Sequence, residues 1–104
     1  MARKLFELGT SAITVGNSVG FTLSSADFAN NSKPTIAVGN LAGAESLSLW
    51  MRAGDFLVGV TDETGNQIEF TASNPTRTFN GVGNFALTKS ATAGTVEVWL
   101  HTGR

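Results

Sequence analysis

Glycine recurs at positions 9, 16, 20, 39, 43, 54, 59, 65, 81, 83, 94 and 103, and this spacing constrains the fold more than any other feature. A glycine inside a helix costs about 1 kcal/mol relative to alanine, so few windows remain for three uninterrupted turns. The short segments between the glycines alternate apolar and polar residues, which is the period of a half-buried strand. We predict strands over 4–8, 12–15, 20–23, 35–38, 46–51, 56–61, 67–71, 84–88 and 95–101. Eight or nine short strands make an all-β chain, either a single-domain antiparallel β-sandwich or a jelly-roll-like barrel. The 104 residues contain no linker, internal repeat or low-complexity tract, so residues 1–104 are expected to form one domain around one modest core. Residues 1–8 read as an edge strand or as an N-terminal arm that adds to a neighbouring sheet.

The turn chemistry orders some of these strands. Asp62-Glu63-Thr64-Gly65-Asn66 is expected to return 56–60 onto 67–70, with Gly65 and Asn66 taking positive φ. A second return is expected between 86–88 and 96–98, through 89–94. Residues 24–30 are the one place for a short helix, of two turns at most, with Ser24 or Ser25 as N-cap and Asp27 near the positive end of the helix dipole. Residues 30–34 and 73–76 read as loops. Period-two alternation assigns Phe21, Leu23, Leu47, Leu49, Met51, Phe56, Val58, Val60, Ile68, Phe70, Phe85, Leu87, Val96, Val98 and Leu100 to the core.

Most catalytic schemes lack their residues. With no cysteine there is no thiolate nucleophile, thiolate metal site or disulfide. His101 is the single histidine, and Glu97, on the same face of its strand, lies about 13 Å away along an extended chain. Asp55, Asp62 and Glu63 are near one another in sequence but match no EF-hand spacing. Gly81-Val82-Gly83 lacks the third glycine and the strand-to-helix setting of a dinucleotide loop. No enzyme activity, metal or cofactor is expected. A formal net charge of −1 leaves no electrostatic footprint for nucleic acid or an anionic membrane, so neither partner is expected. The first residues contain Glu7 and Gly9 where a signal peptide needs an apolar run, and no stretch approaches the roughly 20 apolar residues of a spanning helix. The expectation is a soluble chain made in a cytoplasm. Gly, Ser, Thr and Asn supply 42 of the 104 residues and charged side chains only 14%, so the surface favours association.

Both tryptophans stand on the polar side of their strands. In Ser46-Leu47-Ser48-Leu49-Trp50-Met51 the alternation places Trp50 with the serines, and in Val96-Glu97-Val98-Trp99-Leu100-His101 it places Trp99 with Glu97 and His101. An outward tryptophan is a candidate partner contact, because it brings large apolar area to an interface. Phe6, beside Arg3 and Lys4, is a second candidate. Arg52, Arg77 and Lys89 complete the set as basic rim residues. The same outward aromatics also fit an alternative function, a carbohydrate-binding or adhesion module.

The C-terminal half carries a likeness. Ile68-Glu69-Phe70 and Arg77-Thr78-Phe79 are followed by Gly83, Phe85 and Leu87, the turn residues Lys89, Ser90, Thr92 and Gly94, and a last strand with Val96 and Val98. This order resembles that of small head decoration, or cement, proteins of tailed bacteriophages. The resemblance implies a virion structural protein on the capsid exterior, a homotrimer that binds the major capsid protein and ties its lattice together. It carries no binding residues across.

Overall fold

The structure is a computed structural model and describes residues 2–102. Within them are nine strands: β1 (Ala2–Leu8), β2 (Val19–Leu23), β3 (Thr35–Gly39), β4 (Ser46–Ala53), β5 (Phe56–Gly59), β6 (Glu69–Thr71), β7 (Thr76–Thr78), β8 (Gly83–Lys89) and β9 (Val96–His101). They form two antiparallel sheets. The four-stranded sheet has the order β1-β9-β3-β7. The five-stranded sheet has the order β2-β8-β4, with β5 and β6 both on the far edge of β4. β5 pairs with residues 50–53 of β4 and β6 with residues 46–48, so the two lie end to end along one partner. The fold is a β-sandwich, as the glycine spacing predicts.

The inner faces of both sheets meet in one core of Leu23, Ile36, Leu47, Leu49, Phe70, Leu87, Val96, Val98 and Leu100, all essentially inaccessible to solvent. One end is closed by aromatic rings from both layers. Phe21 stacks on Phe85 at 5.5 Å between centroids, Phe79 meets Phe85 edge-on at 5.0 Å, and Phe6 reaches Phe21 at 6.4 Å. Phe79 was not among the core residues expected, because it follows a strand too short to show a period.

Several local expectations need correction. Residues 12–15 make one bridge, Ile13 to Lys89, before a 3₁₀ turn at Val15–Asn17 bends the chain away. The loop expected at 73–76 leads straight into β7, whose three exposed residues carry no apolar alternation to announce a strand. The helix is a 3₁₀ helix at Ser25–Asn31, in which the Asp27 carboxylate accepts the Ser24 backbone N–H at 2.8 Å. The 62–66 return forms with Gly65 at φ +87°, while Asn66 stays out of the left-handed region. It does not pair β5 with β6, however. It is an excursion closed by a bridge from Thr61 to Gln67, inserted between two segments that both pair with β4. Residues 89–94 form no hairpin either, because β8 and β9 belong to different sheets and the segment crosses between them.

Candidate functional site

The candidate contact residues are dispersed over five places. Lys4 and Trp99 are opposite one another on the outer face of the four-stranded sheet. The Lys4 Nζ is 3.0 Å from Glu7 Oε2 and 6.0 Å from the Trp99 ring centroid, at the limit of a cation–π contact. The hydrogen bond to Glu7 raises the Lys4 pKa. The Trp99 indole N–H donates to Glu97 Oε1 at 2.9 Å, which engages the carboxylate that an acid–base pairing with His101 would need.

Trp50 and Arg52 are on the outer face of the five-stranded sheet, across the sandwich from Trp99. The strands beside Trp50 present small residues to it, Gly59 on β5 and Ala86 on β8. Ala86 faces outward by alternation yet is 1% exposed, which places the indole over it. The indole N–H donates to Thr88 Oγ1 at 2.9 Å. Both tryptophans are on the outward faces, as the alternation predicts, and both are half-buried. Being on opposite faces, they do not form one platform.

Phe6 and Arg3 stand differently. β1 is an edge strand, not a free arm, and a register shift between Lys4 and Phe6 turns Phe6 inward against the aromatic cluster. Phe6 is therefore a packing residue, with a side chain half-buried in its own chain. Arg3 pairs with Leu100 on the inner side and sits 3.6 Å from the buried Asp27 carboxylate. Arg77 pairs with Ile36 on β7 and also lies on the inner side of an edge strand, where it overhangs a polar cleft of about 350 Å³. Asp62, Glu69 and Asn74 share that cleft. The Thr64 hydroxyl donates to Asp62 Oδ1 at 2.7 Å, and the Thr64 and Asn66 backbone N–H groups add to it, holding the Asp62 pKa below the usual range.

Lys89 is not a rim residue. It is 5% exposed, and its Nζ donates to the Ser90 carbonyl at 2.9 Å and the Thr92 hydroxyl at 3.0 Å. Loss of hydration lowers its pKa, partly offset by Glu45. The ammonium pins the crossover from β8 to β9, and the Thr92 hydroxyl passes the chain on by donating to the Gly94 carbonyl at 2.8 Å. Among the described residues no group of three or more His, Cys, Asp or Glu is placed to hold a metal ion.

An exposed apolar surface is one feature the alternation misassigns. Met51, Phe56 and Val58 point to the inner side of the five-stranded sheet, as the period requires, but they are exposed. Phe56 is 74% and Val58 53% accessible, and the exposed Val82, from the loop before β8, lines one groove with Met51. The inner face of the β4–β5 ribbon is buried at Leu47 and Leu49, but at Met51, Phe56 and Val58 it is left largely uncovered among the described residues. A groove of about 220 Å³ runs from this shelf past Val60 and Phe79. Strand period reports which side a residue faces and carries no signal for where the opposite sheet ends.

Comparison with protein families, with curated proteins and with solved structures finds no match to this chain.

Proposed function

We propose that this chain is a virion structural protein, a decoration or cement subunit that binds the major capsid protein lattice from the capsid exterior and acts as a homo-oligomer. The observation that carries the reading is the exposed apolar shelf of Met51, Phe56, Val58 and Val82, with Arg52 on the opposite face of the same ribbon. An uncovered apolar patch edged by polar residues is what a protein–protein contact needs. The tryptophans suit the same role, since each indole is held by a hydrogen bond within the chain and presents its remaining face without further loss of freedom.

The segment that resembles phage decoration proteins supplies β6, β7, β8 and β9, with the Lys89 crossover between the last two. Nothing favours the carbohydrate-binding alternative, because Trp50 and Trp99 face opposite ways and the polar cleft at Arg77 contains neither.

The test is quantitative mass spectrometry of purified virus particles from the source, counting this chain against the major capsid protein. A fixed, simple ratio to the capsid lattice supports a decoration role. A handful of copies per particle moves the chain to the tail or portal region, and absence from particles overturns the proposal.

A further inference from the structure

A sheet edge attracts another strand when its backbone groups are unpaired and the side chains beside them are apolar. The sandwich has edges at β1, β7, β2 and at β5 with β6. β1 carries the inward Arg3 and a register shift, and β7 carries the inward Arg77 directly after Pro75 and Thr76. Inward charges, bulges and prolines all block edge pairing. β2 has no such device, but its exposed residues are Gly20 and Thr22. Only β5, among these described edges, combines an open backbone with large exposed apolar side chains, Phe56 and Val58.

The register of β5 sets which of its groups are free. The Val60 N–H donates to the Leu49 carbonyl at 3.1 Å, and bonded pairs alternate along an antiparallel ladder. Val58 and Phe56 are thus the next residues bonded to β4, through Met51 and Ala53. The N–H and C=O of Leu57 aim the other way, off the edge. The excursion that follows β5 does not cover them, because Asp62 and Gln67 line the cleft with Thr76 and Arg77 and so lean toward β7.

We propose that β5 is a self-association edge, at which two copies of this chain pair antiparallel across a two-fold axis through Leu57. In that register the two Leu57 residues exchange N–H···O bonds, and Phe56 of each copy meets Val58 of the other on one face of a continuous sheet. The contact is isologous and closes at two copies. Its length is limited at one end by the Gly54-Asp55 turn, where Gly54 has φ +65°, and at the other by the excursion. Burying Phe56, Val58 and the strand edge removes roughly 400 Å² per copy, below the ~800 Å² per partner of a standard stable interface. The dimer is therefore reversible and depends on concentration. This inference does not depend on the capsid reading, and it differs from the trimer that the phage resemblance implies.

The test is sedimentation velocity of the purified chain from about 10 µM to about 1 mM, the range in which an interface of this size exchanges, with hydrogen exchange read at Leu57. The expected result is a monomer–dimer equilibrium in which protection of the Leu57 amide rises with concentration while that of Val58, already bonded to β4, does not. Val58→Lys, and independently Phe56→Ser, should weaken association at least tenfold with unchanged circular dichroism. A chain that stays monomeric throughout, a trimer, or a dimer indifferent to both substitutions overturns the proposal. A monomer that still occupies particles in fixed ratio would leave the shelf to the capsid partner, and a dimer absent from particles would remove the capsid reading alone.

Discussion

β1 and β5 are both edge strands with a phenylalanine near an outer end of the sandwich, and they are finished in opposite ways. On β1 the register shift rotates Phe6 into the aromatic cluster, and Arg3 turns inward to the buried Asp27. On β5 there is no charge and no shift, and Phe56 stands 74% exposed among the described residues. The same residue type thus contributes to folding at one edge and is left for another surface at the other. What separates them is the opposite layer. β1 has the 3₁₀ helix and β2 facing it, whereas the tip of the β4–β5 ribbon is left exposed by the described residues.

Substitutions that read folding energy should follow this contrast. Phe6→Ala is expected to cost about 2 kcal/mol, somewhat under the range for a fully buried ring because Phe6 is half-buried. Chemical denaturation measures it, and a loss under ~0.5 kcal/mol would make β1 as dispensable as β5. Asp27→Ala should cost about 1–2 kcal/mol, since it leaves the Ser24 N–H without its acceptor at the start of the 3₁₀ helix. Arg3→Val removes a mostly exposed partner at 3.6 Å, so the stability change should stay near ~0.5 kcal/mol. Its larger consequence is on association: with the inward charge gone, β1 becomes a second open edge, and light scattering at high concentration should rise. If it does not, the register shift alone guards that edge.

How legible these edges were in the sequence depends on the kind of information each required. Period-two alternation identified Leu47, Leu49, Val96, Val98 and Leu100 as core, because both neighbours of β4 and of β9 are strands and the facing layer is present. The same alternation assigns Met51, Phe56 and Val58 to the core, although the described residues leave them exposed. The alternation places Trp50 and Trp99 outward, and they are, but their half-burial depends on Ala86 and Gly59 lying opposite Trp50 and on Lys4 lying opposite Trp99. Those pairings are set by long-range register. Lys89 shows the limit most plainly: a lysine before Ser90 reads as a surface charge, and its burial follows from the chain leaving one sheet for the other at that residue. Turn chemistry at Gly65 was local and therefore readable. That the excursion divides one edge into β5 and β6 was not, because it requires knowing that β4 is long enough to pair with both.

The smallest expected effect is the one that bears most on the comparison. The double substitution Phe56→Ser, Val58→Thr should leave the stability of the isolated chain within about 0.5 kcal/mol of the parent, because side chains that stay in water when folded gain nothing by folding. Thermal and urea unfolding at low concentration, where association is absent, measure it directly. A loss of ~2 kcal/mol would mean that Phe56 packs within the chain in solution, and β5 would then be an ordinary finished edge like β1. An unchanged midpoint would mean that two large apolar residues are held at the surface by a ribbon whose fold does not need them. Their cost in solubility would then have to be offset by whatever covers them, and the edge hydrogen-bond groups of Leu57 lie directly between the two.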